Sequence, residues 1–166
     1  MKHIIFITVL LLSISCTTNA QEKKEKEVAN QTAKKYKVSK SEKEWKTELT
    51  ALQFYVLREA GTERPFTSEL NKKYDKGLYV CAACETPLYE SQHKFDSGTG
   101  WPSFDRAIKN SIETDVDYKI GVARNELICA TCGGHLGHVF NDGPAKTTGQ
   151  RHCINGAALK FTPKKD

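Results

Sequence analysis

The sequence predicts one mainly β domain that begins with two short helices and carries a metal site. Helical periodicity is confined to the stretch before Pro65, and strand-length apolar runs separated by turn residues follow it. Two Cys-x-x-Cys pairs, Cys81/Cys84 and Cys129/Cys132, mark the metal site. The stretch of about 120 residues that holds these features is large enough for a single core.

The first 20 residues are predicted to be an export signal. The apolar run Ile4–Leu12 is too short to span a bilayer, but it has the length of a signal's hydrophobic region. It leads into Ser13-Ile14-Ser15-Cys16, which looks like a loose bacterial lipobox with Cys16 as the lipidated residue. Cleavage after Thr18-Asn19-Ala20 is the alternative. We therefore expect an exported protein of the bacterial cell envelope, in the periplasm, whose only membrane contact is a lipid anchor at Cys16.

Residues 21–40 are predicted to be a disordered, charged tether. Residues 21–46 carry nine Lys and five Glu with few apolar side chains, so they cannot bury enough surface to offset their conformational entropy. This stretch and Lys2 account for the whole net charge of +5, because residues 47–166 hold fifteen basic and fifteen acidic residues. Since the folded part is neutral, nucleic acid is not an expected partner.

The domain is expected to span residues 41–164 and to start with two helices. Ser41-Glu42-Lys43-Glu44 and Thr50-Ala51-Leu52-Gln53 both fit capping boxes. Apolar residues are spaced to cover one helical face and continue until Gly61: Trp45, Leu49, Leu52 and Phe54–Leu57. We interpret them as packing residues.

Beyond Pro65 the pattern favours a mostly antiparallel β body. Apolar runs of strand length are separated by Gly, Asp, Asn and Pro: Gly77–Val80, Tyr118–Val122, Glu126–Ile128 and Ala157–Phe161.

The cysteine pairs predict one structural zinc ion per chain and no organic cofactor. Two Cys-x-x-Cys turns supply four thiolates for a tetrahedral site: Cys81, Cys84, Cys129 and Cys132. Two disulfides or a redox couple are the alternatives in an exported protein. A second alternative is a Cys2His2 site of Cys129, Cys132, His135 and His138, which would leave the first pair unused. The four-cysteine set uses both pairs and leaves the histidines for chemistry.

The candidate reactive thiol is Cys153, the one cysteine assigned neither to the metal nor to the signal. Arg151 lies two positions away, on the same face if this segment is a strand, where its charge would favour the thiolate. A buried, inert cysteine is the alternative.

Four segments closely resemble the motif blocks of the methionine-R-sulfoxide reductases, the MsrB family: Thr62–Thr67, Lys94–Phe104, His135–Pro144 and Arg151–Asn155. The resemblance extends from about Ser41 to Pro163 and includes both cysteine pairs. It implies two antiparallel sheets in a β-tent, Mss4-like fold with a structural zinc. It also implies reduction of the R epimer of methionine sulfoxide, protein-bound or free, to methionine, as in the repair of oxidised proteins under oxidative stress.

The resemblance also implies a role for each matching residue. Cys153 would be the nucleophile that becomes a sulfenic acid, and Trp101 with Phe104 would bind the substrate. The other catalytic residues would surround the reacting atoms: His135, His138, Asp142, Arg151 and Asn155. One histidine would protonate the sulfoxide oxygen, with either candidate open.

The chain departs from the family pattern near the nucleophile. Thr99 stands where many members have a resolving cysteine, so we expect an external thiol, from a thioredoxin-like protein, to regenerate Cys153. Resolution by a zinc cysteine is the alternative. His152 and Gly156 stand where an aromatic residue and Ser are common, and His152 could join the site. We expect a monomer.

Two rival functions are compatible with parts of the sequence. A non-catalytic, zinc-dependent binding domain would explain the metal pairs and the β body, but not the joint presence of Cys153, Trp101 and the two histidines. A reductase of the S epimer would need an N-terminal nucleophile motif that this sequence lacks.

Overall fold

A computed structural model describes residues 35–164 of the chain. The predicted signal, including Cys16, and most of the predicted tether lie outside these residues. The last part of the predicted tether belongs to the folded unit instead: the Val38 N–H donates to Thr131 O at 2.9 Å, and the Tyr36 ring lies against Gly133. None of the helices within residues 35–164 has the length and apolarity needed to cross a membrane.

The two predicted helices are confirmed as α1 (Glu42–Glu48) and α2 (Ala51–Glu59). Both begin with the predicted capping boxes, at Ser41 and at Thr50, where side chain and backbone satisfy each other reciprocally. Trp45 and Leu49 are buried as expected, but Leu52 is 48% exposed, so its assignment to the buried face was wrong. Phe54, Val56 and Leu57 form the buried face of α2 instead.

Nine strands in residues 35–164 form two antiparallel sheets. The first sheet has the order β2-β1-β9, from strands β1 (Gly77–Cys81), β2 (Pro87–Glu90) and β9 (Leu159–Pro163). The second has the order β3-β4-β8-β7-β6-β5, from the remaining strands: β3 (Lys94–Phe95), β4 (Ser103–Phe104), β5 (Ile112–Asp117), β6 (Arg124–Cys129), β7 (His135–Phe140) and β8 (Arg151–Ile154). The predicted fold class, mainly β with two antiparallel sheets behind two short helices, is therefore confirmed.

One predicted strand is wrong and one is displaced. Tyr118–Val122 is the turn between β5 and β6, because pairing of those strands ends at Asp117 and Arg124 and Gly121 takes a φ of 78°. Gly156–Ala158 forms a 3₁₀ turn before β9, so that strand starts two residues later than expected.

The core lies where both sheets and the helices meet. It joins Tyr79 and Tyr89 of the first sheet to Phe104 and Ile154 of the second. The Tyr89 and Phe104 rings stack at 4.2 Å, and Tyr79 meets Phe104 edge-on at 5.0 Å. This packing holds β4 and β8 in place, and β8 carries Cys153.

Candidate active site and metal site

Cys153 lies in the middle of the larger sheet, with a paired residue on each of the two adjacent strands. In the strand register it faces His138 of β7 on one side and Ser103 of β4 on the other. Directly opposed residues of antiparallel strands have Cβ atoms about 4.5–5.5 Å apart. The sheet therefore places the thiol and an imidazole side by side on one face.

A pocket of about 110 Å³ opens over this face. Its lining comes from five separate segments: Thr62, Trp101, Arg124, Gly137, His138, Phe140, Cys153 and Asn155. A larger cleft of about 790 Å³ at the edge of the three-stranded sheet contains no cysteine or histidine. The smaller pocket is therefore the one equipped for thiol chemistry.

Each histidine of the His135–His138 pair is held by a carboxylate. His138 Nε2 donates to Asp117 Oδ2 at 2.9 Å, and His135 Nδ1 donates to Glu126 Oε1 at 2.5 Å. The two rings meet edge-on at 5.3 Å. Burial lowers the pKa of His138, while the bond to Asp117 opposes that shift. His138 lines the pocket and His135 lies behind it, which distinguishes the two candidates.

Asp117 and Arg124 belong to this site and were missed from the sequence. They form the last paired residues of β5 and β6, and Arg124 Nη2 donates to Asp117 Oδ2. The hydrogen bonds from Lys119 N and His138, together with Arg124, hold the pKa of Asp117 well below its usual range. Asp117 and Arg124 stand on either side of Tyr118–Val122. If that run had been identified as a turn, the sequence would have predicted a hairpin with these two residues paired across it.

Arg151 lies beside the thiol and is itself fixed. Its Nε and Nη2 donate to the two carboxylate oxygens of Asp142 at 2.8 and 2.9 Å, and its guanidinium lies 4.4 Å from the Phe140 ring centroid. Arg151 lowers the pKa of Cys153, but burial raises it by more. Arg151 thus favours the thiolate, while desolvation of the thiolate acts in the opposite direction and outweighs the nearby cation.

Thr99 occupies the position from which a resolving cysteine would act. Its Oγ1 lies 4.0 Å from Cys153 Sγ. Ser97 Oγ lies 2.8 Å from Thr99 Oγ1 and 2.7 Å from Ser103 Oγ, so a chain of three hydroxyls borders Cys153. This chain offers hydrogen bonds to Cys153 but no second thiol.

Glu63 connects the walls of the pocket and was not identified from the sequence, although it lies within the Thr62–Thr67 block. Its carbonyl accepts the indole N–H of Trp101 at 3.2 Å, and its own N–H donates to Asn155 Oδ1 at 3.0 Å. Its buried carboxylate accepts the N–H groups of Gly156 and Ala157 at 2.6 and 2.8 Å. Burial raises the pKa of Glu63, and these two donors oppose the shift. Glu63 thus fixes both Trp101 and the segment that follows Cys153.

Phe104 and His152 lie away from the pocket. Phe104 is fully buried in the aromatic core and does not line the pocket, so the expectation that it binds substrate is corrected. His152 points to the opposite face of β8 from Cys153, where its Nδ1 lies 3.2 Å from the Tyr89 hydroxyl. Burial lowers the pKa of His152 to about 4, so this core histidine is neutral. Ser68 fills the space that a side chain at Gly156 would need.

The four paired cysteines come together in a cluster that could hold a metal ion. The Sγ atoms of Cys81, Cys84, Cys129 and Cys132 all lie within 4.8 Å of one another. Cys81–Cys132 and Cys84–Cys129 are 3.8 and 3.6 Å apart. A tetrahedron with Zn–S bonds of about 2.3 Å has sulfur atoms roughly 3.8 Å apart, so the donor set fits zinc. All five cysteines of residues 35–164 are free thiols, and this cluster includes neither histidine.

Arg58 of α2 supports the metal site from outside. Its Nη1 donates to Cys132 O at 3.0 Å and its Nη2 donates to Cys132 Sγ at 3.2 Å. The guanidinium lies 4.3 Å from the Trp45 ring centroid, which connects α1 to the same site.

Comparison with known proteins identifies relatives over most of the chain. The SelR domain family matches residues 49–163. The peptide methionine sulfoxide reductase MsrB of Leptospira interrogans is 53% identical over 127 residues, which cover 76% of this chain and 96% of that protein. The MsrB of Methanosarcina mazei is 50% identical over 131 residues, covering 78% and 93%. The chloroplastic peptide methionine sulfoxide reductase B1 of Arabidopsis thaliana is 52% identical over 124 residues, covering 74% and 61%. The solved Mis18 "Yippee-like" domain gives a TM-score of 0.45 at 16% identity, over 55% of this chain and 100% of that domain.

Proposed function

The chain belongs to the SelR-domain family of peptide methionine sulfoxide reductases, and on this premise we propose that Cys153 is its catalytic thiol. The enzyme is a peptide-methionine (R)-S-oxide reductase, an oxidoreductase that returns the R epimer of methionine sulfoxide to methionine. The observation that carries the proposal is the register of β7 and β8, which sets His138 directly beside Cys153 at the base of the pocket.

The reaction starts with attack of the Cys153 sulfur on the sulfoxide sulfur. The sulfoxide oxygen is a poor leaving group until it is protonated, so an acid must act within reach of the thiolate. The sulfur–sulfur bond formed by this attack and the substrate S–O bond then break as the protonated oxygen is transferred to Cys153, which releases methionine and leaves Cys153 as a sulfenic acid. The substrate sulfur is reduced by two electrons and Cys153 is oxidised by two.

His138 is the proton donor in this proposal. It is the histidine that lines the pocket, and it is the cross-strand neighbour of Cys153. Its Nε2–H is held by Asp117, which fixes the ring and stabilises the charged form. His135 supports His138 through the edge-on ring contact. Arg151, held by Asp142, attracts the developing thiolate.

Trp101 forms the apolar wall for the substrate methyl group. Its indole N–H is already bonded to Glu63 O, so the ring is held in one orientation while part of it faces the pocket. Contacts between sulfur and an aromatic ring contribute about 0.3–1.5 kcal/mol. Asn155 is a positioning residue, since its side chain bonds to Glu63 N and to Leu136 O.

Regeneration of Cys153 requires an external thiol in this proposal. The sulfenic acid reacts with the reductant's thiol, giving a mixed disulfide and water, and a second thiol of the reductant then releases Cys153. No other cysteine of residues 35–164 approaches Cys153, because the other four form the metal cluster. A thioredoxin-like protein supplies the required dithiol chemistry.

The four-cysteine cluster holds a structural zinc ion in this proposal. Four thiolates close the coordination shell, so the ion has a structural role and takes no part in the reaction. The enzyme acts as a monomer exported to the bacterial periplasm and lipid-anchored at Cys16. The segment that ends at the Cys16 lipobox then serves as the signal, and the charged residues 21–35 serve as the tether.

A single turnover without reductant tests the function. The zinc-loaded protein is mixed with peptides that contain either the R or the S sulfoxide, and the enzyme's intact mass is measured. We expect one equivalent of methionine from the R peptide alone and a gain of one oxygen on Cys153. Cys153→Ser should form no methionine and Thr99→Ser should still form one equivalent. Methionine from neither peptide would instead favour a binding domain.

A further inference from the structure

We propose that four exposed apolar residues beside the pocket, Phe66, Tyr118, Ile120 and Val122, form an apolar rim that binds side chains flanking methionine sulfoxide in unfolded protein substrates. The proposal rests on the proposed function of the pocket and adds a specificity to it. The rim would select peptides with apolar residues beside the sulfoxide over peptides with small polar residues there.

The tip of the β5–β6 hairpin carries three of these residues. Tyr118, Ile120 and Val122 are 68%, 65% and 64% exposed, within five consecutive positions. Single exposed apolar residues are ordinary, but a cluster of them on one turn marks an interaction surface.

The hairpin tip is continuous with the pocket. Asp117 and Arg124 are the pair that closes the hairpin. Asp117 bonds to His138, and Arg124 lines the pocket. Lys119 Nζ donates to Glu59 O and Ala60 O at 3.0 and 3.1 Å. This contact holds the tip against the chain two residues before Thr62, which also lines the pocket. The residues that flank a sulfoxide bound in the pocket can therefore reach the tip.

Phe66 borders the pocket at its Trp101 wall. Its N–H donates to Gly100 O at 2.8 Å, and its ring lies so close to Gly100 that a Cβ there would come within 2.9 Å of it. Phe66 has a φ of 64° although its side chain is bulky, and it is 67% exposed. A strained backbone that presents an aromatic ring to solvent is typical of a functional site rather than of packing.

The size and chemistry of the site define the occupant. A pocket of about 110 Å³ takes one side chain, so the neighbouring residues of a peptide must lie on the surface around it. The rim offers apolar area, and Lys119 between its members is occupied by backbone carbonyls. Oxidation turns a core methionine polar and disrupts the core around it, which exposes an extended chain with apolar neighbours. That chain matches the rim.

Substrates that differ only in their flanks test the proposal, with dithiothreitol as the reductant. The probes are N-acetylmethionine R-sulfoxide and two heptapeptides with a central R sulfoxide, one flanked by Leu and Val and the other by Gly and Ser. We expect wild type to prefer the Leu/Val peptide by about tenfold in kcat/KM. The variant Tyr118→Ser/Ile120→Ser/Val122→Ser should lose this preference, through a higher KM for that peptide. Val116→Ser is the matched control: it lies on the same hairpin and is 48% exposed, but it faces away from Asp117.

Each other outcome overturns the proposal in a distinguishable way. If wild type turns over all three probes equally well, or if the triple variant loses activity equally on all of them, the rim is not a peptide site. If only the KM for a protein thiol reductant rises, the tip binds the reductant instead. Failure of wild type on every R probe rejects the proposed function itself. Tyr118→Ser alone keeps the test decisive if circular dichroism shows that the triple variant misfolds.

Discussion

At the scale of single residues, the proposed acid and the proposed nucleophile have pKa values that are shifted in opposite directions. Burial raises the pKa of Cys153 above the ordinary thiol value, and burial lowers that of His138 below the ordinary imidazole value. The proposed reaction needs Cys153 ionised and His138 protonated. The reactive combination is therefore a minor species at neutral pH, and its abundance is nearly constant between the two pKa values.

This arrangement predicts a broad pH profile of kcat/KM, with its acidic limb below pH 6.5 and its alkaline limb above pH 9. Asp117→Asn removes the bond that raises the pKa of His138, so the acidic limb should move to lower pH and the plateau should fall. Arg151→Met removes a cation that lowers the pKa of Cys153, so the alkaline limb should move to higher pH and activity at neutral pH should fall about tenfold.

Stopped-flow measurement of methionine formation across pH checks both changes. Asp115→Asn, which changes an exposed carboxylate two residues earlier on the same strand, is the matched control and should leave the profile unchanged. An acidic limb that stays in place in Asp117→Asn would show that His138 is not the acid.

A second prediction at this scale concerns Thr99. Its Oγ1 is 4.0 Å from Cys153 Sγ, and a disulfide needs only a modest approach to about 2.05 Å. Thr99→Cys should therefore convert the enzyme to a two-cysteine cycle. After one turnover its mass should show the loss of two hydrogens, where wild type shows the gain of one oxygen. Thr99→Ser, which keeps the hydroxyl, should behave as wild type. Accumulation of sulfenic acid in Thr99→Cys would mean that the two positions cannot meet.

The sequence identified residues that carry their own chemistry, but not the residues that reach the site through the fold. Cys153 and His138 stood in recognisable motifs, and the strand register then made them neighbours. Asp117 is hydrogen-bonded to His138, 21 residues away in the sequence, and Glu63 is hydrogen-bonded to Gly156, 93 residues away. Such contacts depend on register and loop path, which local periodicity does not encode. Phe104 was misassigned for the related reason that a motif position does not reveal which face of a strand it occupies.

At the scale of elements, the helices were predictable at their starts because a capping box is local chemistry, and α1 and α2 begin at Ser41 and Thr50 as expected. Tyr118–Val122 failed as a strand because alternation of apolar residues is also compatible with an exposed turn. Only Gly121, at a φ of 78°, signalled the reversal.

The contact between α2 and the metal site gives a prediction at this scale. Arg58 donates to both the sulfur and the carbonyl of Cys132, and hydrogen bonds to charged groups contribute about 1.5–3 kcal/mol each. Arg58→Met should lower the free energy of unfolding by about 2 kcal/mol and speed zinc release to a chromophoric chelator. Arg58→Lys, which keeps the charge and one donor, should fall between this variant and wild type.

Urea denaturation and the rate of metal release measure these effects in the zinc-loaded protein. Arg106→Met is a suitable control, because Arg106 is a half-exposed arginine that pairs only with its neighbour Asp105 in the described structure. Equal release rates for Arg58→Met and wild type would mean that α2 does not stabilise the metal site.

At the scale of the whole molecule, the cysteine cluster joins the two sheets. Cys81 ends β1 in the three-stranded sheet, and Cys129 ends β6 in the six-stranded sheet. Cys84 and Cys132 lie in the turns that follow these strands. A zinc ion held by all four would therefore link hairpins that are distant in the sequence, as Arg58 links the helices to the same point.

Removal of the metal should consequently destabilise the entire domain and abolish activity, although none of the four clustered cysteines lines the pocket. Binding free energy at structural zinc sites is folding free energy, on the order of 10 kcal/mol in small domains. Chelation should therefore lower the melting temperature by about 15 °C or more. The strand that follows Cys132 is β7, which carries His138, so loss of the metal should displace the proposed catalytic pair before the chain unfolds completely.

Cys84→Ser and Cys153→Ser separate the two roles of cysteine: the first should lose zinc, stability and turnover, and the second should lose turnover alone. Differential scanning calorimetry with zinc quantification measures this, and a Cys84→Ser protein that melts like wild type would show that the two sheets hold together without the ion.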